Sequence, residues 1–161
     1  MRRWHYVVGF LLLGALLWLL LIKLPGQGEP RVGEATPKTV VETDRAPEAI
    51  GPYSQGVIAG NTLYLAGQIG LVPETGELAG EGMEAQARQV FRNLQAVCEA
   101  GGFGFEDVVS VEVYLADMGH YEAFNKIYAE YFEGYRPARA VTEVSRIPRD
   151  ALLEIKMTAV K

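Results

Sequence analysis

The chain has 161 residues, 49% hydrophobic and 22% charged, which leaves room for one globular domain and a short additional segment. Residues 1–24 hold three of the fifteen basic residues and no acidic one, so residues 25–161 carry a net charge of −8, which argues against binding nucleic acid through its phosphates. The single cysteine, Cys98, excludes an intrachain disulfide and a cysteine-rich zinc site.

Residues 1–24 have the pattern of a membrane segment. Two arginines precede an uncharged run from Tyr6 to Ile22, and with Lys23 reaching toward the surface about 19 residues can span the hydrocarbon core. The alternative is a cleaved signal peptide from a secreted chain, although the apolar run is long and LIKLPGQG offers no clean cleavage site. The positive-inside rule keeps the N-terminus in the cytoplasm and places the following domain outside. We therefore predict a single transmembrane helix as an anchor.

Residues 25–45 separate this segment from the rest of the chain. They are rich in proline, glycine and charged residues, and their apolar content is too low to build a core. This composition predicts a flexible linker, and the folded domain is predicted over residues 46–161.

The first part of the domain predicts a hairpin and a helix. Gly60-Asn61 joins two short apolar runs, which is typical of a β-hairpin. Between Gly82 and Ala100, apolar residues recur at helical spacing, and Gly101-Gly102 follows as a stop signal. Cys98 lies beside that apolar stripe, so we expect a buried small side chain rather than a reactive thiol.

The second part adds a strand at 107–117, a helix at 119–134 and two strands at 140–147 and 152–160. The predicted order is ββαβαββ, an α+β fold with two helices on one face of a sheet. On the second helix we assign an aromatic stripe to the core. On the last strand the alternating apolar residues predict a face toward the helices: Leu153, Ile155, Met157 and Ala159.

The other face of the sheet has mixed composition. Glu154, Lys156 and Thr158 alternate with the apolar residues of the last strand, and Tyr64, Tyr114 and Val144 are further candidates for this face. Two helices cover only one face, so we expect the second face to be buried against other copies of the chain.

Six stretches, in order, resemble the RidA/YjgF family of small trimeric imine deaminases. They cover nearly the whole predicted domain: APEAIGPYSQG (46–56), LYLAGQIG (63–70), NLQAVCEAGG (93–102), VEVYLADM (111–118), FNKIYAEYF (124–132) and RPARAVTEVSRIPRDALLEIKMTAV (136–160). The resemblance implies a chorismate-mutase-like fold and a homotrimer with sites between subunits. It also implies hydrolysis of 2-imino acids, such as 2-iminopropanoate and 2-iminobutanoate, to 2-oxo acids and ammonia, without a metal or an organic cofactor.

The resemblance assigns three catalytic residues. Arg139 matches the family arginine that binds the substrate carboxylate, and a planar guanidinium suits a carboxylate in a way that lysine does not. Glu154 matches the glutamate thought to position or activate water. Tyr53 matches a tyrosine that closes over the substrate. The alternatives are a structural salt bridge for Arg139, a solvated strand carboxylate for Glu154 and simple packing for Tyr53.

Two positions depart from the family pattern in the expected substrate pocket. The usual serine of SGQ is Ala66, and the cysteine usually found two residues after the arginine is Val141. Losing one hydrogen bond to a carboxylate costs about 1–3 kcal/mol, so we expect weaker binding and a preference for more apolar imino acids. Gln68 and Asn125 also match family positions, but both residue types commonly satisfy backbone groups at element ends.

Two other functions are compatible with the same sequence. One is a non-catalytic module that binds a small carboxylate or a partner, which the Ala66 and Val141 replacements favour. The other is a structural or chaperone-like trimer, for which Arg139 would be dispensable.

Overall fold

The structure, a computed structural model, describes residues 35–161, and the predicted membrane segment and the first part of the predicted linker lie outside this range. No helix within residues 35–161 has the length and apolar character needed to cross a membrane. The helices and strands in this range are β1 (Lys38–Val41), β2 (Gly56–Ala59), β3 (Thr62–Leu65), α1 (Met83–Ala100), β4 (Val108–Leu115), α2 (Tyr121–Tyr131), β5 (Ala138–Glu143) and β6 (Leu153–Val160).

The strands form one mixed sheet in the order β1-β2-β3-β6-β4-β5. Neighbouring strands are antiparallel except β4 and β5, which run parallel because α2 provides the crossover between them. β2 and β3 form the predicted hairpin, with Gly60 in the left-handed region at φ +62°. The α+β prediction with two helices is confirmed.

The core lies between the two helices and one face of the sheet. The alternation predicted for β6 is confirmed, because Leu153, Ile155, Met157 and Ala159 are each at most 1% exposed. Burying each large apolar side chain of this kind stabilises the fold by about 1.5–3 kcal/mol. Cys98 is also fully buried, and this burial raises the pKa of its thiol to about 12, as expected for a small core residue.

An aromatic cluster fixes α2 against α1. Phe91 of α1 is fully buried, and its ring lies 4.2 Å from the ring of Tyr131 and 6.0 Å from that of Tyr128, measured between centroids. Phe124 stacks on the same ring at 6.4 Å. The predicted aromatic stripe of α2 therefore does belong to the core, and its packing sets the position of the Tyr128 ring.

The folded domain begins earlier than the sequence predicts. β1 lies inside the range predicted as a linker and pairs along its four residues with β2. Only Val41 of this strand is buried, so its sequence shows no alternating pattern that could reveal it. Its partner is also distant in sequence, because residues 42–55 separate the two strands. The observed order is therefore βββαβαββ rather than ββαβαββ.

The face of the sheet away from the helices, here called the open face, is polar and partly exposed. Tyr64 is 51% exposed on β3. In the middle of this face, the Glu112 carboxylate accepts hydrogen bonds from the Tyr114 hydroxyl at 2.9 Å and the Lys156 ammonium at 3.1 Å. The mixed character predicted for this face is thus present.

Candidate functional site

A cavity of about 350 Å³ lies beside the beginning of β6. Its walls come from the loop before β2, from the residues that follow β3, and from the segment before β6. Most of the lining is apolar: Pro47, Ile50, Ala66, Ile69, Leu71 and Pro148. Tyr53 and Glu154 supply two of its polar side chains. Three of the residues predicted from the sequence, Tyr53, Ala66 and Glu154, therefore line one cavity.

Glu154 lies on β6 and faces this cavity. Its strand neighbour is Tyr114 of β4, and both residues alternate with buried residues, which places the carboxylate on the open face. The side chain is half-buried and makes no hydrogen bond or ion pair with any other residue between 35 and 161. Burial without a partner disfavours the charged form and raises the pKa of this carboxyl above its ordinary value. A carboxylate of this kind is suited to accept a proton.

Gly67 makes room for that carboxylate. A Cβ atom at this position would overlap the Oε1 atom of Glu154, so no other residue type fits without displacing the glutamate. The glycine of AGQ therefore leaves the space that the carboxylate occupies, a role that the sequence alone does not show.

Tyr53 and Ala66 both form part of the cavity wall. The Tyr53 side chain is 49% exposed, and its backbone N–H donates to the carbonyl of Gly51 at 2.8 Å. Ala66 follows β3 and carries no hydroxyl, so at this position the wall offers a ligand a methyl group instead of a hydrogen bond.

Arg139 lies on the opposite face of the sheet. It pairs with the buried Val111 of β4, so its side chain points toward the helices. The guanidinium carbon lies 4.3 Å from the ring centroid of Tyr128 and 5.9 Å from that of Phe124, and one guanidinium nitrogen lies 3.5 Å from the Tyr121 hydroxyl. Stacking of a guanidinium on an aromatic face stabilises it by about 0.5–2 kcal/mol and fixes its plane.

Arg139 has no acidic partner within residues 35–161. It lines a groove of about 740 Å³ together with Asn125, Tyr128 and Arg136. The Asn125 Oδ1 atom and the Tyr128 hydroxyl are buried in this region without a hydrogen-bond partner among the described residues. Residues 35–161 therefore do not form the structural salt bridge considered as the alternative role of Arg139. Its guanidinium is available to bind an anion.

The predicted residues thus divide into two groups. Tyr53, Ala66 and Glu154 line the cavity on the open face, whereas Arg139 and Val141 lie on the helix-facing side of β5. Val141 pairs with Val113 and packs against the core, lining neither the cavity nor the groove. A single copy of the chain therefore does not bring the guanidinium and the carboxylate together.

The sequence did not predict the roles that some residues around these two groups have in the structure. Tyr128 was assigned to the core, yet its ring also supports Arg139. Gln68 is 6% exposed and lines the cavity, while its backbone exchanges two hydrogen bonds with Ile155. No group of three His, Cys, Asp or Glu in residues 35–161 is arranged to hold a metal ion.

Known proteins have similar sequences and the same fold. The family described as Endoribonuclease L-PSP matches residues 43–161. A RutC family protein of Pyrococcus horikoshii is 48% identical over 124 residues, 77% of this chain and 98% of that protein. The 2-iminobutanoate/2-iminopropanoate deaminase of Mus musculus is 43% identical over 124 residues, 77% of this chain and 92% of that protein. The crystal structure of RidA from Psychrobacter sp. PAMC 21119 is 43% identical and superposes with a TM-score of 0.73, covering 76% of this chain and 99% of that one.

The fold and cavity define a small α+β domain with a mixed six-stranded sheet, two helices on one face and an apolar cavity at the start of β6. With the similarities above, the chain belongs to the RidA/YjgF family, which the Endoribonuclease L-PSP description covers.

Proposed function

We propose that this protein hydrolyses 2-imino acids, such as 2-iminobutanoate and 2-iminopropanoate, to 2-oxo acids and ammonia. One observation carries the proposal: among residues 35–161 the domain presents a guanidinium and a half-buried carboxylate that have no ion-pair partner, and these are the two groups needed to hold a carboxylate and to activate water. The relative named as a 2-iminobutanoate/2-iminopropanoate deaminase supports the same chemistry.

The working site is proposed to form between copies in a homotrimer. Arg139 and Glu154 lie on opposite faces of one sheet, so they meet in one site only if they come from different copies. The partly exposed open face, on which Tyr64 of the interior strand β3 is 51% exposed, offers a surface for this association. In this arrangement Arg139 of one copy approaches the cavity of Tyr53, Ala66 and Glu154 on the next.

The reaction follows from these roles. Arg139 binds the substrate carboxylate through two parallel hydrogen bonds, which fixes the imine carbon relative to the cavity wall. Glu154 accepts a proton from water as the water oxygen bonds to the imine carbon and the electron pair of the C=N bond moves to nitrogen; Glu154 then gives this proton to the nitrogen, which leaves a neutral carbinolamine. In the collapse Glu154 takes the hydroxyl proton and delivers it to the amine nitrogen, the C–N bond breaks with its electron pair going to nitrogen, ammonia leaves, and the oxygen forms the carbonyl of the 2-oxo acid.

The cavity lining supports a preference for apolar substrate side chains. Ile50, Ile69 and Leu71 offer apolar contacts, and Ala66 offers no hydrogen bond to a substrate. An added methylene in such a pocket is worth about 1 kcal/mol or more, so longer apolar imino acids gain affinity that polar ones do not.

The function is tested by generating imino acids with an amino-acid oxidase and trapping them with semicarbazide. Purified full-length protein is expected to reduce the trapped semicarbazone in proportion to its concentration, because hydrolysis competes with the trap. The decrease should be several-fold larger with leucine than with alanine as the oxidase substrate, because of the apolar cavity. Oxidase without the protein gives the baseline.

An unchanged amount of semicarbazone at high protein concentration would contradict deaminase activity. If the same inactive protein still bound 2-oxobutanoate by calorimetry, the binding-module function would replace the proposal. Equal turnover of 2-iminopropanoate and 2-imino-4-methylpentanoate would contradict the apolar preference while leaving the deaminase proposal intact.

We also propose that residues 1–24 tether the domain to a membrane, with the domain on the extracytoplasmic side. The support is the uncharged run from Tyr6 to Ile22 preceded by two arginines. Added protease is expected to digest the domain in intact cells from which any outer barrier has been removed, whereas a cytoplasmic marker stays protected. Protection of the domain until the membrane is permeabilised would contradict this orientation, and recovery of a soluble chain lacking residues 1–24 would indicate a cleaved signal peptide.

A further inference from the structure

The side-chain amide of Gln55 ties together the root of the loop that forms one wall of the cavity. Gln55 is 4% exposed and stands immediately before β2. Its Oε1 atom accepts a hydrogen bond from the backbone N–H of Thr43 at 2.7 Å. Its Nε2 atom donates toward the carbonyls of Thr43 at 3.0 Å, Ala46 at 3.2 Å and Pro47 at 2.8 Å.

The backbone of the same residue is bonded to a second part of the cavity wall. The N–H of Ala66 donates to the Gln55 carbonyl at 2.9 Å. Pro47 and Ala66 both line the cavity, so Gln55 is bonded to both sides of it without lining it. One residue thus links two segments of the cavity wall.

The tip of the loop depends on this attachment. Ile50 is 64% exposed and Tyr53 is 49% exposed, and the hydrogen bond from Tyr53 N–H to the Gly51 carbonyl is internal to the tip. Neither side chain is held by burial in the core. The positions of the Ile50 and Tyr53 side chains at the cavity therefore depend mainly on the points at which the loop is fixed. These points are Thr43, Ala46 and Pro47.

An amide of this length accepts from the Thr43 N–H and directs its two N–H hydrogens toward the three carbonyls. A carboxylate can accept from Thr43 N–H but has no hydrogen to donate to the three carbonyls, and a thioether has no hydrogen to donate and is only a weak acceptor. Without this donor the carbonyl of the buried Ala46 would lack a hydrogen-bond partner, so the loop root would open to regain hydration.

We propose that Gln55 is a positioning residue, which fixes the loop of residues 43–53 so that Ile50 and Tyr53 stand over the bound substrate. This inference rests on the proposed function, because it takes the cavity as the substrate site. Gln55 acts through the loop and does not contact substrate. Glu154 is on β6 and keeps its place when the loop loosens, so substrate binding depends on Gln55 more than the chemical step does.

The first test compares Gln55→Met and Gln55→Glu with Gln86→Met in the full-length protein. Gln86 is a matched control, since it is 2% exposed and its side-chain amide bonds to the backbone of Gly80 and Leu152, none of which lines the cavity. Both Gln55 variants are expected to raise KM about tenfold and to change kcat less than about threefold. Gln86→Met should lower the thermal midpoint to a similar extent and leave KM unchanged. A KM shift shared by Gln86→Met, or absent from both Gln55 variants, would overturn the proposal.

The second test uses the unaltered protein and so does not depend on the variants folding. Amide hydrogen exchange at Thr43 should be strongly slowed in the absence of ligand, because Gln55 accepts its N–H, whereas exchange at Glu48 and Ile50 should be fast. Saturating 2-oxobutanoate should then slow exchange at the tip. Fast exchange at Thr43 would refute the Gln55 attachment whatever the activity. An inactive protein with a slow Thr43 amide would instead refute the proposed function and keep the attachment.

Discussion

Replacing Arg139 by alanine is expected to lower kcat/KM for 2-iminobutanoate at least about a hundredfold, since a lost charge-assisted pair of hydrogen bonds to a carboxylate is worth about 3 kcal/mol or more. The guanidinium is stacked 4.3 Å from the centre of the Tyr128 ring and has no acidic partner in residues 35–161, so its removal breaks no ion pair there. Steady-state kinetics with the oxidase-generated substrate measures the loss.

Two further variants make this result specific. Arg139→Lys keeps the charge but not the two parallel donors or the planar stacking, so it should recover only part of the activity. Arg92 is a matched control, because it is an exposed arginine of α1 whose side chain bonds only to Gln89 among the described residues. Arg92→Ala should stay within about twofold of the unaltered protein. An Arg139→Ala variant that behaves the same way would remove the basis of the proposed carboxylate binding.

Replacing Glu154 by glutamine is expected to lower kcat by about two to four orders of magnitude, the usual contribution of a positioned general base, with a smaller effect on KM. Glutamine keeps the size of the side chain beside Gly67 and cannot accept the proton from water. The measurement is kcat at saturating substrate at pH 8. A kcat within a few-fold of the unaltered protein would assign Glu154 a packing role.

The pH dependence has a defined sign. Burial raises the pKa of the Glu154 carboxyl, and only the ionised form accepts a proton, so kcat/KM should fall as the pH decreases toward and below that raised pKa. Glu154→Gln should lack this acidic limb. The same shift makes the ionised carboxylate a cost to folding at pH values above the folded-state pKa, so Glu154→Gln should be at least as stable as the unaltered protein at pH 8. A variant that is inactive and also unfolds more easily at pH 8 would not count as evidence for a base.

The two inactive variants together test whether the site lies between copies. Arg139→Ala and Glu154→Gln are unfolded separately, mixed in equal amounts and refolded. If each site takes its arginine from one copy and its glutamate from the next, about a quarter of the sites in the mixture are complete, and about a quarter of the activity should return. No recovery in the refolded mixture, when refolded unaltered protein is active, would place both residues in the same copy.

Local patterns in the sequence determined much of the fold. The alternation of apolar residues on β6 and their helical spacing on α1 each lie within one element. These periodicities therefore identify a strand and a helix without knowledge of what the element packs against. Arg139, Glu154 and Tyr53 were singled out because whole segments resemble a family, and the chain belongs to that family. Their side-chain chemistry, a planar cation, a carboxylate and a phenol, is fixed by residue type alone.

Only the tertiary structure decided how these parts are arranged. The pairing of Arg139 with Val111 puts the guanidinium toward the helices, whereas the pairing of Glu154 with Tyr114 puts the carboxylate on the open face. A shift of one residue in either register would reverse the side, and no local pattern records register between distant strands. The buried amide of Gln55 and the strand β1 depend in the same way on contacts between separated segments, because hydrogen bonds to a returning loop leave no periodicity in the sequence.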